Sequence, residues 1–393
     1  MKIRHIFTRV VLFFIGIIDL FIPKNRYLVV FSSTGGMKWA DNSKYLFKYM
    51  VRHSNLNCIW ATRSKKVMDK VKNENPEYKV VYLHNITGVL TALRARTWIC
   101  DHVTSDIFTL PFKDKRRKIY LLWHGIGPKV EPARMLTKRS KRRIARRMIS
   151  SSDCLLTTSY NAAEYNFIPL GFPRDRIYDY GYPRDDYLVS SVSNSHKIKE
   201  DIFKILKYNS PDSKIILYAP TYREMYDEKN EEKEREFLSN VEKFLEETDS
   251  ILLWREHINA KSSIKIYRSK RIFDFGQDIA EDINEYLAGI DILITDYSSI
   301  AYDFVLLDRP IIFYMYDFED YNGYRGIAFN IPDDFPGSIV YEIKDLLMEL
   351  KKSINNPDYG KDKRQAIVKK FHKYTDGLAC ERIYRKLLKH IEV

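Results

Sequence analysis

DILITDYSSIAYDFVLLDRPIIFYMYD, residues 291–317, reads as one repeat of an α/β fold. The apolar run Ile292–Ile294 predicts a buried strand, Asp296–Ser299 a turn with helix-cap chemistry, Ile300–Leu307 a helix, and Ile311–Tyr314 the next strand. Parallel strands joined by a crossover helix place ligands beyond the strand C-termini, where Thr295, Asp296, Tyr297, Ser298 and Ser299 stand. Hydroxyls, backbone N–H groups and the positive end of the helix dipole converge there, a combination suited to a phosphate. An ordinary N-cap would use the same residue types, since Asp and Ser are favoured at that position in any helix. On hydroxyl density alone both readings stay open.

Within that stretch LITDYSSIAYDFVLLDRPIIFY, residues 293–314, closely resembles the signature of the CDP-glycerol glycerophosphotransferases, the teichoic acid primases and polymerases. Further blocks extend the resemblance in the same order: FSSTGGMKWADNSKYLF (31–47), Trp123-His124-Gly125, Gly181-Tyr182-Pro183-Arg184 with Asp186, Ala219-Pro220-Thr221-Tyr222-Arg223, and the closing DGLACERIYRKLL (376–388). Two positions depart from it. Ile126 replaces the usual threonine after the histidine-glycine pair, and Ile258 replaces the proline that commonly follows the second histidine, His257.

The resemblance implies a GT-B architecture: two Rossmann-like domains with a cleft between them. It also implies attack by an acceptor hydroxyl on the β-phosphorus of CDP-glycerol, releasing CMP. Such phosphoryl transfer relies on positioning and charge stabilisation more than on covalent chemistry. The implied catalytic residues are His124, His257 and Asp296. Gly125, Thr221, Arg223, Thr295, Ser298, Ser299 and Asp303 fall to the donor, and Gly35, Gly36, Asp41, Asn42 and Arg184 to the acceptor. No cofactor or metal is called for. CDP-ribitol is the nearest alternative donor and a nucleotide sugar the next, while the acceptor is a lipid-linked saccharide or polyol phosphate. Chain length suggests a primase or single-addition enzyme, serving wall or capsule polymer.

Several of these residues would also serve an ordinary structural role. His124 alone is more often a structural histidine, and Arg223 alone would be read as a salt-bridge partner of a nearby glutamate. Asp303 could equally lie on a solvated helix face, and Glu319 and Asp320 are expected to line the same cleft.

The rest of the chain alternates strands and helices. Tyr27–Phe31, Asn57–Ala61, Lys79–Leu83, Thr97–Cys100, Ile119–Trp123, Asp153–Thr158, Lys214–Tyr218, Ile251–Trp254 and Arg271–Phe273 read as strands. Helices are expected at Ser43–Met50, Tyr160–Phe167, Lys197–Tyr208, Asn230–Glu247, Asp282–Ala288 and Asp376–His390. This rhythm predicts parallel, doubly wound sheets. The serine-rich Ser190–His196 looks like an interdomain linker. The domains read as 25–192 for the acceptor, 193–375 for the CDP donor, and 376–393 as a helix crossing back.

Charge and hydropathy bear on partners. A chain of 393 residues with formal charge +13 favours a polyanion: a membrane, a phosphate-rich substrate or nucleic acid. Histidines and hydroxyls at successive strand ends argue against a nucleic-acid binder. Between Lys138 and Arg147 seven of ten residues are basic, within a basic region spanning 129–148. Residues 1–24 carry an apolar run, Ile6–Ile22, too short and too charged, with Arg9 and Asp19, for a spanning helix. The two features together predict a peripheral enzyme on the cytoplasmic face of a bacterial membrane, with the first helix lying in the interface. A helix packed on the domain itself is the competing reading. The four cysteines are spread apart and read as buried free thiols.

Overall fold

The computed structural model describes residues 2–130, 146, 148–223, 228–256 and 267–392. Most of the basic run, residues 131–145 and 147, lies outside the described residues, as does His257. Among the described residues thirteen strands form two sheets in which every strand pairing is parallel. The first sheet holds β1 (Asn25–Ser32), β2 (Asn57–Thr62), β3 (Val80–Tyr82), β4 (Ala95–Cys100), β5 (Lys118–Leu121), β6 (Cys154–Leu156) and β7 (Ile177–Tyr178), in the order β3-β2-β1-β4-β5-β6-β7. The second holds β8 (Lys214–Tyr218), β9 (Ser250–Trp254), β10 (Ile272–Asp274), β11 (Ile292–Thr295), β12 (Ile311–Tyr314) and β13 (Ser338–Val340), in the order β10-β9-β8-β11-β12-β13. Both sheets thus reverse direction after their third strand, as doubly wound nucleotide-binding sheets do. Ligands of such sheets bind outside the strand C-termini at that reversal, here between β1 and β4 and between β8 and β11.

The strands are near-continuous apolar runs because both faces are covered: β9 and β11, for instance, are buried along their whole length. All four cysteines are buried free thiols. The closing helix, Ala379–Glu392, is tied to the first half of the chain. The Asp186 carboxylate accepts from Ala379 and Cys380 N–H at 2.8 and 2.7 Å, and Tyr120 meets His390.

Ser190–His196 lies between the last strand of the first sheet and the first strand of the second, where the helices Pro183–Ser191 and Ser195–Leu206 are joined by a 3₁₀ turn at Val192–Asn194. The hydroxyls of Ser190, Ser191 and Ser193 donate to carbonyls three residues earlier, a local bond that a helical turn accommodates. Asp282–Ala288 is not a helix but two 3₁₀ turns, Ile283–Glu285 and Leu287–Gly289. The Asp282 carboxylate caps Asn284 N–H and also receives Lys44 and Tyr45 from the other lobe, which fixes the chain in a turn.

The first helix, Lys2–Phe21, is docked on one side. Asp19, buried, takes both ends of the Arg117 guanidinium at 2.7 Å and the Lys24 ammonium at 2.7 Å. Gly16 lets the helix come against Pro111, whose Cδ would be 2.6 Å from an added Cβ. Val10, Phe14, Ile18 and Phe21 form an exposed apolar stripe on the other side, with Phe21 81% exposed. Among the described residues no helix is long and apolar enough to cross a membrane.

Candidate active site

The loops at the two reversal points face one another across a cleft of about 250 Å³. From the first lobe come Thr34, Lys38, Asp41 and Arg184; from the second, Ala219, Pro220, Arg255, Asn284, Ser298, Ser299 and Asp303, among others. The capping alternative for the hydroxyl turn does not hold. Ser299 at the N-cap makes no side-chain bond, and Ser298 is a distant 3.5 Å from Ile300 N–H, so both hydroxyls are available to the cleft. The α-helix that follows is short, Ile300–Phe304, before a 3₁₀ turn at Val305–Leu307, so its dipole contributes little.

Arg184 is the centre of the arrangement. Its Nη1 donates to Asp41 at 2.8 Å and to the His124 carbonyl at 3.1 Å; Nη2 reaches Asp303 at 2.7 Å. Burial alone would favour loss of its proton, but the Asp303 and Asp41 carboxylates outweigh that and hold its pKa well above the ordinary value. Asp303 is therefore not on a solvated face: it is 5% exposed and paired across the lobes. Asn42, expected to touch the acceptor, is fully buried, donating to the Trp123 carbonyl at 2.8 Å and accepting Arg184 N–H at 3.1 Å. It ties the first lobe's helix to the histidine loop.

His124 follows β5 on a loop in which Trp123 has φ of +61°. Gly125 and Gly127 lie directly against Ser299, which brings the histidine loop onto the hydroxyl turn. His124 does not line the cleft itself but stands one layer away, behind its own carbonyl's bond to Arg184. Its pKa is well below 6.5, through burial first and then the nearby His102, Arg184 and Lys129.

Thr295, Asp296 and Arg223 form a layer behind the cleft. Thr295 Oγ1 donates to the Ala219 carbonyl at 2.7 Å, and Asp296 accepts Thr221 N–H at 2.9 Å. Arg223, expected to grip a diphosphate, spends its fork on Asp317 at 2.6 Å and Asp296 at 2.8 Å, so it braces the two turns instead. Thr221 Oγ1 is buried and without a partner among the described residues. Glu319 and Asp320 do not line the cleft: they are exposed, and Asp317 turns inward in their place. Gly35 and Gly36, with φ of +66° and +78°, shape a turn beside Thr34 whose carbonyls and neighbours are held by Arg63.

The charge balance of the cleft is uneven. Glu281 is met by Lys70, Asp282 by Lys44, and Asp41 and Asp303 by Arg184. Lys38 donates to the Gln277 amide oxygen at 2.7 Å, and Arg255 to the carbonyls of Phe275 and Ala280 at 3.1 and 2.7 Å. Burial, then the Arg255 charge, lowers the Lys38 pKa, and burial lowers that of Arg255 to about 10. Lys38 and Arg255 are thus partly desolvated cations whose direct hydrogen-bond acceptors are neutral, with the carboxylates of Glu281, Asp41 and Asp282 nearby and Glu256 in the same lining.

The family model for CDP-glycerol:poly(glycerophosphate) glycerophosphotransferases matches residues 15–389. The chain belongs to this family. It is 29% identical over 381 residues to the teichoic acid glycerol-phosphate transferase of Staphylococcus aureus, covering 93% of this chain and 94% of that one. It is 25% identical over 411 residues to the teichoic acid glycerol-phosphate primase of Bacillus subtilis, covering 98% of each. Among solved structures, a histidine variant of the wall teichoic acid polymerase TagF soaked with CDPG superposes with a TM-score of 0.77 at 26% identity, covering 94% of this chain and 90% of that one.

This glycerophosphotransferase therefore has glycerol phosphate transfer from CDP-glycerol as its reaction class. Lys38, Arg255, Lys44, Asp282 and Asp317 were not among the site residues expected from its sequence. Arg255 follows β9 as Arg223 follows β8, so its strand-end position was a usable signal; Lys38 sits in the glycine-turn block with nothing to mark it.

Gly125→Ala tests the contact between the two loops. Gly125 has φ of +119°, and an added Cβ would lie 2.6 Å from Arg184 Nη2 and 3.1 Å from the Ser299 Cβ. The substitution is expected to lower CMP release by roughly 10²-fold, as displaced reacting groups do. Full activity in steady-state assays would show that the contact is dispensable.

Proposed function

We propose that the protein acts in surface-polymer synthesis at a membrane by transferring glycerol phosphate to a hydroxyl of a lipid-linked saccharide or polyol-phosphate acceptor. The observation that carries this is the cleft's pair of partly desolvated cations, Lys38 and Arg255, in the same lining as the Ser298 and Ser299 hydroxyls. In this reading those four groups hold the CDP diphosphate, and neutralise the charge that builds on the leaving CMP. Asp41 and Arg184 line the acceptor side of the same cleft. His124 takes the proton of the attacking hydroxyl; its lowered pKa keeps the imidazole neutral near pH 7. The role of base requires the acceptor to approach the histidine loop beside Gly125.

The exposed stripe on the first helix supports peripheral attachment at the cytoplasmic face. Glutamate at Phe14 and Ile18 together is expected to abolish co-sedimentation with anionic vesicles while leaving the melting temperature unchanged, because both side chains face solvent. Retained co-sedimentation would remove the stripe as the contact.

Relatives include ribitol-phosphate polymerases of S. aureus at 24% and 25% identity, so the polyol is tested directly. Purified protein is offered CDP-glycerol, CDP-ribitol and a UDP-sugar in parallel with a lipid-linked disaccharide. Release of CMP from CDP-glycerol alone is expected. Release from CDP-ribitol instead would reassign the donor, and no release with no thermal stabilisation by either CDP-polyol would overturn the reading.

A further inference from the structure

The ring of His124 is stacked on that of His102, with centroids 4.4 Å apart and the two imidazoles within 10° of parallel, and the adjacent Trp123 ring lies 4.6 Å away, tilted by 31°. His102 belongs to the turn after β4, at the same reversal point of the first sheet, and that turn is rigidly built. The Asp106 carboxylate accepts N–H bonds from Asp101 and His102, each at 3.0 Å, and from Gly35 at 2.7 Å. Asp101 is in turn held by the N–H and hydroxyl of Ser43 at 2.8 and 2.9 Å. The Nδ1 atoms of both stacked rings are buried and have no partner among the described residues.

An imidazole stacked face to face with another has its plane fixed, and only its edge remains to meet a substrate. A positive charge on the ring stacked at this separation opposes protonation of the buried His124. The other charged groups near His124 are Arg184 and Lys129, both positive, which oppose protonation further; the carboxylates of Asp41 and Asp303 face Arg184, and that of Asp106 faces the His102 turn.

We propose that His102 is a positioning residue of the transfer reaction, fixing the plane of the His124 ring. This rests on the reading of His124 as base. When His124 accepts the acceptor hydroxyl's proton, the stacked His102 ring keeps the imidazole edge toward that hydroxyl, and the proton returns to solvent after CMP leaves.

His102→Phe keeps a flat ring in the stack and removes its ionisable nitrogens; His102→Ala removes the stack. Histidine-selective NMR of the full chain, with the His124 signal assigned from its loss in His124→Gln, reads the titration midpoint of His124 directly. In His102→Phe that midpoint and the acid limb of kcat/KM for CDP-glycerol are expected to move together to higher pH, by about half a unit or more. In His102→Ala kcat is expected to fall about tenfold with little change in KM, because binding of the donor does not involve the stack. An unmoved midpoint in His102→Phe would overturn the pairing while leaving the base assignment intact. A moved midpoint with an unmoved acid limb would overturn the role of both rings in the reaction. If His102→Ala does not fold, the phenylalanine variant decides alone.

Discussion

His124→Ala is expected to release CMP from CDP-glycerol about 10²- to 10⁴-fold more slowly than the unsubstituted protein, the usual contribution of a positioned general base. The expectation has a pH signature. Burial, with His102, Arg184 and Lys129 adding to it, lowers the His124 pKa well below 6.5, so the imidazole is already neutral at pH 7. The rate should then be flat near neutrality and decline only as pH falls through the lowered value, which places the acid limb below pH 6.5. His124→Gln should abolish that limb along with the rate. Activity within about tenfold of the unsubstituted protein would remove His124 from the role.

Arg184→Met is expected to lower stability by about 3–5 kcal/mol in urea unfolding, the usual consequence of removing one partner of a buried ion pair. The side chain is 5% exposed and bonded to Asp41, Asp303 and the His124 carbonyl, so its loss leaves carboxylates from both lobes without their partner. Activity should fall with it, because the histidine loop loses its tie to the hydroxyl turn. A second substitution separates charge from packing. Arg184→Met combined with Asp303→Asn should recover part of the lost stability, since the uncompensated charge is then gone; strict additivity of the two changes would show that the pair is not coupled.

Much of the fold is written in the pattern of the chain, and the reasons are local. β8, β9, β11 and β12 are apolar runs ended by proline, charged or hydroxyl residues, and such runs mark buried parallel strands wherever they occur. The short strand Ser338–Val340 and the helices Ile343–Asn355 and Lys361–Phe371 were not read, because a three-residue strand carries no periodicity. The Asp282 turn misled for a different reason: its partners, Lys44 and Tyr45, lie about 240 residues away along the chain.

The site was legible in part. The motif blocks located the loops, and the structure brings Asp41, Arg184, Ser298, Ser299 and Asp303 to one cleft. Sequence could not say which polar residues face a ligand and which face each other. Arg223 is paired with Asp296 and Asp317, Thr295 bonds the Ala219 carbonyl, and Asn42 bonds the Trp123 carbonyl, while Lys38 and Arg255 line the cleft. Asp19 shows the same limit, since a residue that looked like a flaw in an apolar helix is the group that fastens that helix to Arg117.

The ion pairs that cross the cleft also bear on how the molecule comes apart. Arg184 neutralises Asp303, and Lys44 neutralises Asp282, each pair joining a residue from one sheet's lobe to a residue from the other's. A lobe separated from its partner would expose or strand those charges, at several kcal/mol for each pair. Two sheets with the same strand order would otherwise be free to melt independently, yet here neither has a complete set of counter-ions by itself. The two lobes should accordingly lose structure in one cooperative transition, with no half-folded species accumulating between them.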